Sequence, residues 1–371
     1  MSTIISTELL YQIALTLIPQ IGPVQSKILV EKFGNAEAIF KARYTELMHT
    51  EGIGAARAGN IKRFNGFREA EDEMRFIEQH HVQPLFITDK KYPQRLIHCY
   101  DSPTLLYYKG NADLNTSKIV SIVGTRNNTE YGRQRTEQLI EELASQQVLV
   151  VSGLAFGIDA IAHKKALKHG LPTIGVLAHG LDQMYPIQHT ALAKEMQMQG
   201  GLLTEFMHGS KPDKHNFPTR NRIVAGMSDA TIVVETGDKG GSMITAELAN
   251  NYNKDVFAFP GRSTDVKSAG CNQLIRANKA ALICNAHDLA EALGWNNETR
   301  LPATPQRSIF IELTKEQQVL FDLLKDKGPL HIDEINTGSG LSNSSIAMAI
   351  LDLELQHVIV SLPGKMYQLR Q

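Results

Sequence analysis

Cysteine is scarce in this chain of 371 residues: Cys99, Cys271 and Cys284 are far apart and form no C-x-x-C. That spacing argues against a disulfide framework and against a zinc site of ordinary pattern. No apolar run approaches the ~20 residues that a membrane span needs. The N-terminal stretch carries Glu8 and has no basic segment ahead of an apolar core, so the cytoplasm is the expected compartment. An excess of either charge is also missing, with 38 Lys and Arg against 39 Asp and Glu, a net of −1. Such a balance argues against a protein that coats nucleic acid through bulk charge. It leaves room for a local basic groove, because binding depends on where charges sit. What is present is average: 42 % hydrophobic and 21 % charged residues, in a length worth about two and a half domains at ~150 residues each.

Residues 1–81 read as short helices broken by Gly and Pro: Glu8–Leu17, Val24–Phe33, Asn35–Ala42 and an interrupted Ala55–His81. Residues 82–293 alternate apolar runs with stretches of helical period. The runs are Ile119–Val123, Val148–Val151, Thr173–Leu177, Leu202–Thr204, Thr231–Val234, Val256–Phe259 and Leu282–Cys284. Strands separated by helices of 10–15 residues form βαβ units, so an α/β fold with a Rossmann-like, doubly wound parallel sheet is expected. A linker over 294–311 carries Pro302 and Pro305. Beyond it, 312–371 shows three helical stretches and a strand pair around Pro363-Gly364, the pattern of a winged helix.

Two N-terminal segments, Ile18-Pro19-Gln20-Ile21-Gly22-Pro23-Val24 and Glu51-Gly52-Ile53-Gly54, each lead into a helix and resemble helix-hairpin-helix turns. Such a turn can present backbone N–H groups to a phosphate. It can equally serve packing alone, since its glycines permit tight turns.

The chemistry concentrates in the sheet domain. The first strand runs into Gly124-Thr125-Arg126-Asn127-Asn128, where α/β sheets place phosphates. This is not G-x-G-x-x-G, the second strand ends in Ser152-Gly153 without a carboxylate for a ribose, and no P-loop occurs. A nicotinamide or ATP enzyme is therefore disfavoured and no cofactor is expected. Arg126 suits a phosphate held by charge. Asp159 and His163, four apart, suggest a local helical contact. Lys211–Arg222 holds four cations against one carboxylate, together with Phe217, ahead of a helix expected over Asn221–Met227. Cations that track a backbone beside an aromatic face are what single-stranded nucleic acid requires. Gly240-Gly241-Ser242 at a helix start is a further anion seat. Every one of these loops follows a strand, so a parallel sheet brings them to one edge. The expected pocket is lined by Arg126, Ser152, Lys214, Arg220 and Gly241, with neither an activated nucleophile nor a metal cluster.

In this order, Val123-Gly124-Thr125-Arg126, Ser152–Asp159, Gly180-Leu181-Asp182 with Tyr185-Pro186, Phe217-Pro218-Thr219-Arg220-Asn221-Arg222, Gly241–Thr245 and Pro260-Gly261 resemble the DNA-processing protein A (DprA/Smf) family. The resemblance implies a non-enzymatic Rossmann-like core that binds single-stranded DNA without base preference and forms a homodimer through that core. It further implies that incoming strands are protected and handed to the recombinase RecA during natural transformation. The DNA-binding residues it implies are Gly124, Arg126, Ser152, Gly153, Lys214, Phe217, Arg220, Asn221, Arg222, Gly241 and Ser242. Two features depart from the family pattern. His179 stands where a Gly-rich turn is usual, and the helix expected over Ser342–Gln356 has no Lys or Arg. A helix reading duplex DNA needs cations, so this winged helix is expected to contact protein or nothing. The competing reading is a phosphoribohydrolase-like nucleotide enzyme of the lysine-decarboxylase-like type. Its glycine-rich loop is similar to Lys239–Glu247, although Ser242-Met243 interrupts the glycines here.

Overall fold

The computed structural model describes residues 7–295, 313–356, 358–362 and 365–369. They fall into two compact units, 1–296 and 297–371.

The first unit opens with six helices: α1 (Thr7–Leu17), α2 (Pro23–Phe33), α3 (Ala36–Lys41), α4 (Tyr44–Met48), α5 (Gly54–Lys62) and α6 (Phe67–His80). Helix α4 is too short to show a helical period and was not legible in the sequence. The two hairpin turns lie side by side. Arg57 donates from Nε to Gln20 O (2.9 Å) and from Nη1 to Gly52 O (2.9 Å), while Asn60 Nδ2 reaches Pro19 O (2.9 Å). Neighbouring cations are also engaged internally: Lys27 with Ile97 O, Lys32 with Thr50 Oγ1 and Lys62 with Phe40 O. These side chains brace helix ends and tie α2 to the sheet domain, which favours packing over phosphate binding in this module.

The sheet region follows as β1 (Gln83–Phe86), α7 (Gln94–Ile97), β2 (Leu105–Gly110), β3 (Ile119–Val123), α8 (Glu130–Leu143), β4 (Leu149–Ser152), α9 (Ile158–Lys168) and β5 (Thr173–Val176). It continues with α10 (Thr190–Gln199), β6 (Gly200–Thr204), α11 (Asn216–Gly226), β7 (Ala230–Val233) and α12 (Gly241–Asn251). It ends with β8 (Asp255–Ala258), α13 (Ala269–Arg276), β9 (Ala281–Leu282) and α14 (Ala286–Ala292). Strand order is β1-β2-β6-β5-β4-β3-β7-β8-β9. The seven apolar runs of the sequence are the seven parallel strands β3 to β9, a Rossmann-like arrangement. β2 adds antiparallel to β6, and β1 adds antiparallel to β2. This two-stranded edge escaped the sequence reading, because α7 between its strands is a single turn, too short to show the helical period that marks a βαβ unit.

Alternation along β3 shows why the sheet is covered twice. Ile119 and Val123 pack into one core cluster, whereas Val120 and Ile122 pack into the other. Period-two side chains on a buried strand must satisfy both faces. The cluster containing Ile119 also takes in the N-terminal helices, so the helical module shares the sheet's core. A buried carboxylate strengthens that junction: Glu73 on α6 accepts from His208 N (3.0 Å) and from His208 Nδ1, and Phe76 stacks on the same imidazole.

The second unit contains α15 (Lys315–Lys327), β10 (Leu330–His331), α16 (Ile332–Ser339), α17 (Asn343–Leu355), β11 (Ile359–Leu362) and β12 (Met366–Leu369). Its antiparallel sheet has the order β10-β12-β11. Leu320, Leu324, Ile335, Ile346, Ile350, Leu353 and Ile359 form a separate core. Three helices with a small sheet are the winged-helix arrangement expected from the sequence. Thr314 and Ser342 cap their helices by accepting from Gln317 N and Ser345 N. The expected linker lies outside the described residues from 296 onward, as does the Pro363-Gly364 turn.

Candidate nucleic-acid interface

The order of the sheet turns at β3. The chain leaves β3 through α8 toward β4 on one side, and β7 lies on the other. At such a switch point the loops at the carboxyl ends of the strands part and leave a crevice. Here the crevice is an open cleft of about 270 Å³ between the loop after β3, the first turns of α11 and the start of α12. Gly124, Arg126, Gly153, Phe217, Arg220, Asn221, Gly241 and Ser242 line it, so eight of the eleven expected residues meet.

The walls are held by backbone contacts that require glycine. Gly157, at φ +80°, turns the loop after β4, and a Cβ there would lie 2.2 Å from Thr125 O. Ile158 N donates to Thr125 O (3.2 Å), and Thr125 N donates to Glu235 O (2.7 Å). The loops after β3, β4 and β7 therefore form one rigid rim. Arg126 stands exposed on it, its guanidinium carbon 5.3 Å from the centre of the Phe217 ring. On the opposite wall, Asn221 Nδ2 reaches Gly241 O (3.3 Å), tying α11 to the start of α12. The first N–H groups of α12 have no partner within the helix and face an anion favourably.

Arg220 plays a different part. It is 6 % exposed, donates to Val176 O and, through Nε, to Asn221 Oδ1 (3.2 Å). Burial pushes its pKa down to about 10, while Asp159 opposes that shift, so the guanidinium stays charged at neutral pH. Burial raises the Asp159 carboxyl above its ordinary value, chiefly against the pull of Arg220. Asp159 also accepts from Ala155 N (3.3 Å). The pair forms the floor of the cleft. Gly153 admits it, since a Cβ there would lie 2.6 Å from Asp159 and 2.7 Å from Arg220.

Three expected residues stand elsewhere. Ser152 is fully buried and its hydroxyl donates to Ile122 O (2.6 Å), as the inward alternation of β4 demands. Arg222 pairs with Glu205 and donates to Asp101 O, away from the cleft. The reason is that α11 begins at Asn216, not at Asn221. Arg220 and Arg222 then sit about 200° apart around one helix. Burial pushes the Glu205 carboxyl up to about 7 despite Arg222. Lys214 is exposed on the segment before α11, outside the cleft lining. The expected contact between Asp159 and His163 does not form. His163 is fully buried between Thr173 Oγ1 and Gly153 O, both at 2.6 Å, and burial lowers its pKa to about 4.

The structure adds side chains that the sequence reading passed over. Lys239 lines the cleft beside the start of α12. Phe156 and Tyr185, 46 % and 47 % exposed, rim a shallow pocket that continues the cleft past Arg126 and Phe217. Tyr185 lies 5.9 Å from Phe217, centre to centre. An exposed aromatic next to a Gly-rich turn was the available signal. His179 is buried behind this pocket, where it accepts from Tyr185 N (3.2 Å) and so positions the tyrosine segment.

A Rossmann-like domain with a crevice at its switch point, preceded along the chain by a helix-hairpin-helix module and followed by a winged helix, is the domain composition of a class of multidomain DNA-processing proteins. Residues 83–294 match the family described as DNA recombination-mediator protein A, 302–365 the DprA winged helix domain, and 12–72 the helix-hairpin-helix motif. Protein Smf of Synechocystis is 34 % identical over 401 aligned positions, covering 98 % of this chain and all of that one. The crystal structure of DNA processing protein A from Streptococcus pneumoniae superposes with a TM-score of 0.67 at 32 % identity, covering 76 % of this chain and 97 % of that one. A structure of the Helicobacter pylori protein, described for its single-stranded DNA binding mode, gives 0.53 at 33 % identity, covering 58 % and 96 %. This chain belongs to the DprA/Smf family of DNA-processing proteins.

Proposed function

We propose that this protein binds single-stranded DNA in the cleft without base preference, and does so as a binder rather than as an enzyme. The observation that carries the reading is the exposed Arg126 guanidinium stacked beside Phe217, at the mouth of a crevice whose far wall is a helix start. Arg126, Lys239 and the Gly241-Ser242 turn hold phosphates, and Lys214 catches the strand as it leaves. Phe217, Tyr185 and Phe156 offer faces to unpaired bases, which tolerate any sequence because every base has a π-face. Arg220, paired with Asp159, shapes the floor.

The same proposal includes a cytoplasmic homodimer through the sheet domain that protects incoming strands and delivers them to RecA during natural transformation. The family description, a recombination mediator, supports a role in recombination, and the Helicobacter pylori relative supports single-strand binding. Among the described residues no helix is long and apolar enough to cross a membrane. Binding of labelled oligonucleotides tests the core reading. Oligo-dT and a mixed-sequence strand should bind within a few-fold of each other and well above duplex, and Phe217→Leu should weaken both. Equal binding of duplex, or turnover of a nucleoside monophosphate, would replace this reading by another.

A further inference from the structure

Helix α17 is apolar on two sides. Ile346, Ala349, Ile350 and Leu353 fill the core of the winged helix. On the opposite side Met348, Leu351 and Leu355 are 70 %, 56 % and 70 % exposed. Their spacing of three and four residues places them in one stripe. A helix that is hydrophobic all round belongs in a fully buried setting, yet nothing among the described residues covers this side. The stripe occupies the face with which a winged helix would enter a DNA groove, and α17 carries no Lys or Arg. Its only charges, Asp352 and Glu354, lie toward its C-terminal end, where they oppose the helix dipole; Asp352 is engaged by Gln317 Nε2 (3.3 Å), and α17 carries no basic residue to offset Glu354.

We propose that this face pairs with α17 of a second copy of the chain, with the two helices antiparallel. Aligned over their full length, the helices bring Met348 of each against Leu351 of the other around the two-fold axis. Leu355 then lies over Ser344 and Ala347 of the copy. Glu354 comes beside the other helix's first turn, at Asn343 and Ser344, whose N–H groups have no partner within the helix and carry partial positive charge. The arrangement covers the apolar stripe and offsets the Glu354 carboxylate together, and a self-complementary patch is what a two-fold contact requires. Three side chains make a small interface, so the contact is weak and concentration-dependent.

Crosslinking in the full-length chain tests it. The exposed thiol is first removed as Cys284→Ser, since Cys99 and Cys271 are buried. Differently tagged chains carrying Met348→Cys or Leu351→Cys are then mixed under mild oxidation. Their positions are exposed, so neither substitution disturbs the fold. The mixed disulfide should form severalfold faster than either like-with-like product, because the paired residues face each other only across the two chains. Leu351→Arg in a chain carrying Met348→Cys should abolish its crosslinking to the Leu351→Cys chain. Absence of covalent dimers, or equal yields of all three products, would overturn the pairing.

Discussion

Asp159→Asn removes one charge from the cleft floor while keeping the size of the side chain and its acceptor for Ala155 N. Arg220 is 6 % and Asp159 8 % exposed, and the hydrogen bonds of Arg220 go to Val176 O and Asn221 Oδ1, so the substitution changes only the charge beside the guanidinium. Folding favours the neutral side chain over the carboxylate at this position, so Asp159→Asn should not lower stability at pH 7. Arg220→Gln, which leaves the buried carboxylate without its cation, should cost about 3 kcal/mol at that pH. Replacing both partners costs far less, so Asp159→Asn with Arg220→Gln should recover most of the loss. The pH dependence has a defined sign. Burial raises the Asp159 carboxyl above its ordinary 3.8, so the folded chain holds that proton more tightly than the unfolded chain. This group therefore makes stability decline as pH rises above about 4, and Asp159→Asn should lack that part of the slope. Urea unfolding of the parent chain, the two single variants and the double variant, each from pH 4 to 7, measures all of this. A cost below ~1 kcal/mol for Arg220→Gln, with no recovery in the double variant, would refute a buried, mutually dependent pair.

Glu205 provides a second titration test. Its folded carboxyl near 7 lies above the ordinary 4.5, so stability should fall as pH rises through that interval, and Glu205→Gln should flatten the fall. Glu73→Ala removes the acceptor for His208 and should cost about 2 kcal/mol, with faster amide exchange in α6 and in 205–210. Deleting 310–371 should change single-strand affinity less than tenfold, because α17 has no cation for a phosphate. A larger loss in a protein that remains folded would assign DNA to the winged helix. Ser152→Ala should leave affinity unchanged, since its hydroxyl is spent on Ile122 O.

The parallel sheet was legible because each of its strands is a short apolar run followed by a helical period. The edge formed by β1 and β2 was not, since antiparallel strands joined by a segment whose helix, α7, is a single turn leave no such rhythm. For the site, the loops could be placed on one edge from topology alone, which is why Arg126, Phe217 and Gly241 come together. Side-chain direction was the missing quantity. Placing the start of α11 five residues late made Arg220 and Arg222 look equivalent, whereas the helix turns one inward to Asp159 and the other to Glu205. Strand alternation hides Ser152 in the same way. Lys239, Phe156 and Tyr185 stood within the quoted motifs, but only the fold shows which residues of a loop reach the cleft. The near-zero net charge is compatible with this cleft, since Arg126, Arg220 and Lys239 alone bring cations together there.

The most direct test of a phosphate-holding cleft is the salt dependence of single-strand affinity for Arg126→Ala beside Arg222→Ala. Each phosphate contact removed flattens the log–log slope by about 0.7 for single strands. The cleft predicts that flattening for Arg126→Ala and an unchanged slope for Arg222→Ala, whose side chain is committed to Glu205. An unchanged slope and affinity for Arg126→Ala would contradict the placement of DNA at this edge.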